Sequence, residues 1–429
     1  MVTWPLLPRP HGPESDRRDV SGSVPRVVIE TTSTRRVVPR VLWWSMASHD
    51  AKPPMTFVGA GARDVAGSGR VACCTCAVTD LVGAIDVAFL SDGGQPATTT
   101  AERLLAFLSA ARTSLDIAIY DAHFADGMDD ELIRVIDDAE GRGVRVRAVY
   151  NDEHNRRVPI PPPPEGPSLF ERLAGAVPAR AIPGIPDLMH HKYVVRDRDT
   201  VWTGSTNWTA DAWTRMENLI VTVASADLAA AYTQDFEQLW NKRHVERTGT
   251  FDDQPATLNG TTVRALFSPG RGRKMSQLIA TRIGQAARRI RICSPVLTSS
   301  PILATLAEVL DDSACDTAIT VDGPQMRQAV SQWRADGRAA WKAPLYERVV
   351  ASGAVAAKPS TPYAPGAVHD YMHAKVVVCD DWVLTGSYNC SHSGEMNAEN
   401  LLDIHDPALA ERCVAYCDEI HARYRSSRG

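Results

Sequence analysis

Residues Asp187–Asn218 read DLMHHKYVVRDRDTVWTGSTNWTADAWTRMEN, and this stretch decides the fold. It holds His190, Lys192 and Asp197 in the spacing H-x-K-x4-D, then Gly204, Ser205 and Asn207 as G-S-x-N, then Glu217-Asn218. The series recurs between Tyr371 and Asn400 as His373, Lys375 and Asp380, then Gly386, Ser387 and Asn389, then Glu399-Asn400. The histidines lie 183 residues apart (373 − 190) and the glutamates 182 (399 − 217). A lone histidine on an apolar strand is usually a satisfied core or surface residue. Two copies of one reactive set at matching internal distances mark a tandem duplication instead.

Outward from the motifs, strands alternate with helices. In the first copy Ile85–Leu90 reads as a strand and Thr99–Ala111 as a helix, with Thr98–Thr100 as its cap. Leu115–Tyr120 reads as a second strand, Asp129–Arg142 as a second helix and Val144–Tyr150 as a third strand. The second copy answers with Val263–Ser268, a helix over Ser276–Arg288, then strands Ile290–Cys293 and Thr317–Val321. After each Glu-Asn pair a short apolar strand leads into a helix, Asp227–Trp240 or Ala408–Tyr424. Such alternation predicts an α/β fold with a largely parallel sheet in each half. Residues 83–245 and 263–429 are the expected lobes, joined by a polar linker over 246–262. Pro159 and Pro161–Pro164 form an extended loop ahead of the first motif.

The motif residues suggest phosphoryl chemistry. On a strand, residues two apart face one way, so His190 and Lys192 project together, as do His373 and Lys375. An imidazole beside an ammonium suits a phosphate better than a metal, and no metal or other cofactor is called for. The G-S-x-N segment adds a hydroxyl and an amide, and its glycine lets the backbone come close. One histidine must be neutral to attack phosphorus while the other donates a proton to the departing oxygen. With an ordinary pKa of about 6.5, histidine serves in either state. Glu217 and Glu399 are the candidates to accept from the far ring nitrogens and orient the rings. Asp197 and Asp380 end their strands, where they can bond to local backbone.

These residues resemble the paired HKD motifs of the phospholipase D superfamily, over about Ala84 to the C-terminus. The resemblance implies two α-β-α lobes related by a pseudo-two-fold, with one active site shared at their interface. It implies a hydrolase or transferase working through a phosphohistidine intermediate, with His190 as nucleophile and His373 as general acid. Lys192, Lys375, Asn207 and Asn389 then bind the substrate phosphate, Ser205 and Ser387 support them, and Glu217 and Glu399 orient the histidines. The family spans phospholipases, phosphatidyltransferases and nucleases, and the fold does not choose among them. A phospholipid phosphodiester is the favoured substrate, and a metal-independent endonuclease acting on DNA or RNA is the alternative. For lipid, Trp202, Trp208 and Trp213 can line a head-group pocket or pack in the core. For nucleic acid, Arg271, Arg273 and Lys274 lie in one loop, with Arg282, Arg288, Arg289 and Arg291 beyond, and Arg156 and Arg157 before the proline loop.

Bulk properties set the remaining limits. The 429 residues are enough for two or three domains, and the net charge of −5 excludes a generally basic nucleic-acid coat. No apolar run is long enough to span a membrane, so peripheral contact is the expected mode, and with both half-sites in one chain the protein is expected to be monomeric. Residues 1–82 lack sustained periodicity and are expected to be a disordered extension, with Met46 or Met55 as alternative starts. Arg35-Arg36 is a weak export signal because the apolar run after it is short, and Gly59-Ala60-Gly61 is a poor dinucleotide fingerprint. Nine cysteines without zinc-like spacing, among them the cluster Cys73, Cys74 and Cys76, fit reduced thiols in a cytoplasmic protein.

Overall fold

The computed structural model describes residues 85–124, 127–152, 169–173, 177–251, 254–312, 314–362 and 367–425. The N-terminal extension, the proline loop, Arg156, Arg157 and the cysteine cluster at 73–76 lie outside the described residues.

The first half runs β1 (Ile85–Leu90), α1 (Ala97–Ser109), β2 (Ser114–Ile119), β3 (Ala122–His123), α2 (Met128–Gly141) and β4 (Arg145–Asn151). It continues with α3 (Leu169–Leu173), β5 (Ala179–Ile182), β6 (Lys192–Arg196), β7 (Thr200–Gly204) and β8 (Trp208–Thr209). It ends with α4 (Ala210–Thr214), β9 (Asn218–Ala224) and α5 (Ala226–Lys242). The second half opens with β10 (Ala256–Leu258), β11 (Thr261–Ser268), α6 (Gly272–Gln285), β12 (Arg289–Ser294), α7 (Ser300–Asp312) and β13 (Asp316–Asp322). Next come α8 (Gly323–Ala335), α9 (Lys342–Ala351), β14 (Val355–Lys358), β15 (Val376–Cys379) and β16 (Trp382–Gly386). The last elements are α10 (His392–Met396), β17 (Glu399–His405) and α11 (Pro407–Arg425).

The two sheets share one plan, in the orders β1-β9-β7-β6-β2-β4-β5 and β10-β11-β17-β16-β15-β12-β13-β14. Both are mixed, which corrects the expectation of largely parallel sheets. Within these two sheets only β2-β4-β5 and β12-β13-β14 pair in parallel; the motif strands pair antiparallel. The cause is local. Asp197 and Asp380 adopt left-handed backbone (φ 54 and 53), so the chain doubles straight back from β6 to β7 and from β15 to β16. A hairpin needs only a tight turn, whereas a parallel pair needs a crossover.

Other expectations shift by a few residues. α1 starts behind Pro96 with no side-chain cap, so Thr98–Thr100 lie inside the helix rather than capping it. Proline is at home there because the first helical N–H groups have no partner within the helix. α6 starts at Gly272, so Arg273 and Lys274 sit on its first turn rather than in a loop. The expected linker over 246–262 contains β10, an added edge strand of the second sheet.

Helices cover both faces of each sheet, which explains why β9 and β15, and the centre of β6, read as nearly continuous apolar runs. α5 is capped by Ser225, whose hydroxyl accepts from Leu228 N–H, and it turns Leu228, Tyr232, Phe236 and Leu239 inward as one stripe. With residues of α11 these join the inner faces of both sheets in a single central core. Two outer cores, one per half, complete the layers. Trp202, Trp208 and Trp213 are buried in the first outer core, so they pack rather than line a head-group pocket. Six described cysteines carry free thiols, and no described helix is long and apolar enough to cross a membrane.

Candidate active site

The two motifs meet where the sheets face each other. Parallel bridges Met189–Ala398 and Glu217–Met372 stitch the halves together. The His190 N–H donates to Ala398 O at 2.9 Å and the His373 N–H to Glu217 O at 3.2 Å. The preceding methionines are held alike: Met189 N–H donates to Asn151 Oδ1 (3.0 Å) and Met372 N–H to Asp322 Oδ2 (3.1 Å). Each histidine is thereby fixed through its own backbone and its neighbour's.

Both lysines fold back on the histidine two residues earlier. Lys192 Nζ donates to His190 O and Lys375 Nζ to His373 O, each at 2.7 Å. Both ammonium groups are buried. Burial pulls Lys192 down to about 7, against the carboxylates of Glu399 and Asp121. Burial, then the charge of Lys192, holds Lys375 well below the ordinary range. His373 is likewise depressed, by burial first and then by Lys375, Lys192 and His190. Four nitrogen bases thus crowd one cleft, and a phosphate anion placed among them offsets their mutual repulsion.

The glycines of G-S-x-N have a steric reason. Gly204 and Gly386 have φ of 140 and 146, and a Cβ there would lie 2.2 Å from Leu219 O or 2.4 Å from Asn400 O. The serines after them are fully buried and engaged. Ser205 Oγ donates to Asn218 Oδ1 (2.7 Å) and accepts from Leu219 N–H (3.0 Å), and Ser387 Oγ accepts from Asn400 N–H (3.0 Å). The serines therefore support the partners of the histidines rather than face a phosphate. Asn207 and Asn389 each bury a side-chain oxygen with no hydrogen-bond partner among the described residues. Asp197 and Asp380 stand away from the cleft. Asp197 takes the N–H groups of Arg112, Thr113 and Ser114; Asp380 takes those of Ala287, Arg288 and Arg289. Despite a burial cost that raises them, these amides hold both carboxyls below their ordinary range.

The glutamates do not play matching parts. His190 Nδ1 lies 2.8 and 2.9 Å from the carboxylate oxygens of Glu399. His373 Nδ1 instead meets Asn218 Oδ1 at 3.0 Å, and Glu217 is turned away. Strand register explains the correction. Gly204 pairs with Ile220 and Gly386 with Leu401, so Glu399 corresponds in space to Asn218, not Glu217. The first copy has one more residue between glycine and strand, and a one-residue slip sends each side chain to the opposite face. Glu217 is buried against Lys358 Nζ at 2.7 Å and accepts from Tyr424 Oη, while Lys358 also reaches Asp92 at 3.2 Å. Burial raises the Glu217 carboxyl, and Lys358 draws it back. Burial also raises Glu399, to about 7, with Lys192 the largest opposing charge.

Three further participants escape a reading by motif. Tyr120, at the end of β2, lays its ring 4.6 Å from that of His190 and 4.9 Å from Lys192 Nζ. Asn218 is locked by an Nδ2–H bond to Ala212 O at 3.0 Å, which aims its oxygen at His373. Behind the site His191 Nε2 lies 3.0 Å from Asp235, also bound by Tyr193 Oη. The adjacency of Asn218 to Glu217, and the doubled histidine, were the signals available in the sequence.

Four of the arginines expected to track nucleic acid are paired with acids. Arg282 meets Asp403, Arg288 meets Asp381, Arg289 meets Glu411, and Arg291 meets Asp316 and Asp418.

Comparison with known proteins agrees with this architecture. The family described as cardiolipin synthase, PLD-like domain, matches the chain twice, over residues 104–240 and 279–421. A mitochondrial cardiolipin hydrolase of Xenopus tropicalis is 31% identical over 141 residues, 33% of this chain and 60% of that protein. A phospholipase D of Rickettsia bellii is 30% identical over 130 residues, 30% of this chain and 58% of that protein. The chain thus spans less than two thirds of the curated relatives it matches. The crystal structure of phosphatidylserine synthase from Haemophilus influenzae superposes with a TM-score of 0.57 at 14% identity, over 80% of this chain and 86% of that one. With two such domains facing each other across one cleft, the chain belongs to the phospholipase D superfamily.

Proposed function

We propose that the protein is a phosphodiesterase acting on a phospholipid through a phosphohistidine formed on His190. The observation that carries this reading is the unequal pairing of the two histidines. Glu399 accepts from Nδ1–H of His190, leaving the Nε2 lone pair for phosphorus and offsetting the positive charge that grows on the ring as it attacks. Asn218 fixes the ring of His373 without adding a negative charge, so that ring gives up a proton readily. In the first step the P–Nε2 bond forms, the bond from phosphorus to the leaving alcohol breaks, and His373 protonates the departing oxygen. Lys192, Lys375, Asn207 and Asn389 hold the remaining phosphoryl oxygens. In the second step His373 takes a proton from an acceptor hydroxyl as that oxygen displaces the histidine. Water as acceptor gives hydrolysis, and an alcohol gives transfer.

A phospholipid is favoured because the matched relatives are named as a cardiolipin hydrolase and a phospholipase D, and because the arginines beyond α6 are neutralised. The test is turnover of phosphatidylcholine and cardiolipin beside single-stranded DNA and RNA, in EDTA, with His190→Ala protein as blank. Release of head group or phosphatidic acid by the wild type alone is the expected result, with activity down by about a thousandfold or more in the variant. Nucleic-acid fragments without lipid products would overturn the substrate; activity lost in EDTA and restored by metal would overturn the chemistry.

A further inference from the structure

Apolar side chains left in water need a reason when they gather around one opening. Four large ones are exposed among the described residues: Ile185 (50%), Trp341 (51%), Val368 (46%) and Met396 (42%). Ile185 stands five residues before His190 and Val368 five before His373, so they are mates across the pseudo-two-fold. The Leu188 N–H donates to Asn397 Oδ1 at 2.9 Å, which seats the Ile185 loop beside Met396 in the opposite lobe. The His369 N–H donates to Asp211 Oδ2 at 2.9 Å, which seats the Val368 loop on α4. Lys342 Nζ donates to Thr298 O (2.9 Å) and the Thr298 N–H donates to Cys390 O (2.8 Å), which ties the residue after Trp341 to the loop that carries Asn389. The segments that bear all four are thus tied to the segments around the two motifs.

A cationic groove adjoins these segments. A cavity of about 610 Å³ is lined by Arg271, Arg273, Lys274 and His392 with one acid, Glu395, and shares Met396 with the apolar set. Burial, then Glu246, raises the carboxyl of Asp187, three residues before His190, and the nearby His392 draws it back. The first copy has no counterpart, for the loop from β1 to α1 reads Ser91-Asp92-Gly93-Gly94-Gln95-Pro96, without a cation.

We propose that this face docks on an anionic phospholipid bilayer, with Ile185, Trp341, Val368 and Met396 entering the head-group layer and the Arg271–Arg273–Lys274 groove taking lipid phosphates. The inference rests on the lipid reading of the site and adds to it where, and on which lipid surface, the enzyme works. Aliphatic and thioether side chains offer nothing to a nucleic-acid backbone. Combined with cations within a Debye length of the surface, they supply the two signals that peripheral anchoring needs.

The test is sedimentation of the full chain with vesicles of phosphatidylcholine alone or mixed with phosphatidylglycerol. It compares wild type, Arg273→Glu/Lys274→Glu, Ile185→Ser/Met396→Ser, Trp341→Ala, and the distant Arg288→Glu as control. Wild type and control should bind the anionic vesicles, while each rim variant loses roughly tenfold in affinity. The ratio of turnover on vesicles to turnover on a monomeric short-chain phospholipid should fall in parallel. Rim variants that sediment like wild type overturn the proposal, as does binding to single-stranded DNA, but not vesicles, that Arg273→Glu/Lys274→Glu removes. Wild-type turnover of the monomeric lipid without vesicle binding sinks the docking face and leaves the lipid chemistry standing. No phospholipid turnover in either form sinks the function itself.

Discussion

Asn218 and Glu399 occupy one position of a duplicated strand and give two histidines different characters. A carboxylate at His373 would favour the imidazolium, as an opposite charge at hydrogen-bond distance does. Asn218→Asp should therefore raise the pKa of His373. If His373 protonates the leaving group, the alkaline limb of the kcat/KM profile should move up with it. Ring titration by NMR and a pH–rate profile read both changes, and a limb that stays in place assigns the acid to another residue. This pair also marks where the sequence was opaque. His190, Lys192, His373 and Lys375 were legible from spacing alone, because a duplicated H-x-K pins four side chains to one cleft. The doubled Glu-Asn dipeptide misdirected the reading of Glu217, since an identical pair of letters hides one inserted residue and only strand register exposes it.

At the scale of elements, periodicity located the strands and helices to within a few residues, because apolar runs and amphipathic stripes are local properties. Pairing direction was not local. The left-handed turns at Asp197 and Asp380 replace crossovers, and nothing in the spacing of apolar residues distinguishes the two. The glycines that end β7 and β16 carry a prediction of their own. Gly386→Ala would drive a methyl group into Asn400 O while forcing alanine to a φ of 146. It should cost about 1–3 kcal/mol of unfolding free energy and displace Glu399 from His190, lowering kcat more than it raises KM. Gly353→Ala, at a φ of 79 with open space around its Cβ, isolates the cost of a left-handed backbone without the clash: it should lose a little stability and leave kcat alone. Chemical denaturation and steady-state kinetics on both variants decide the matter.

At the scale of the whole molecule, the halves are joined by burial and by charge. α5 and α11 lie in the central core, and Arg412 and Tyr416 of α11 bond to carbonyls of β1 in the first half. Lys358, from β14 of the second half, is buried against Glu217 of the first. Lys358→Met should strand that carboxylate and cost about 3–5 kcal/mol near neutral pH. The sign of its pH dependence follows from the raised carboxyl. Without Lys358 the folded-state pKa of Glu217 rises further above its unfolded value. The native state then takes up the proton more readily, and the deficit shrinks as pH falls towards the unfolded carboxyl range. Thermal melts of both proteins at acid and neutral pH test this; a deficit that grows on acidification contradicts it.

The unequal partners of the two histidines also break a symmetry. In an assembly of two identical halves, a phosphodiester could enter in either of two orientations and react equally well in both. With both halves in one chain, one strand carries an extra residue and presents an amide where the other presents a carboxylate. The cleft became polar in the vectorial sense. On the proposed mechanism the departing group leaves past His373, and the retained phosphoryl group stays with His190. Duplication, in this molecule, turned a two-way passage into a one-way street.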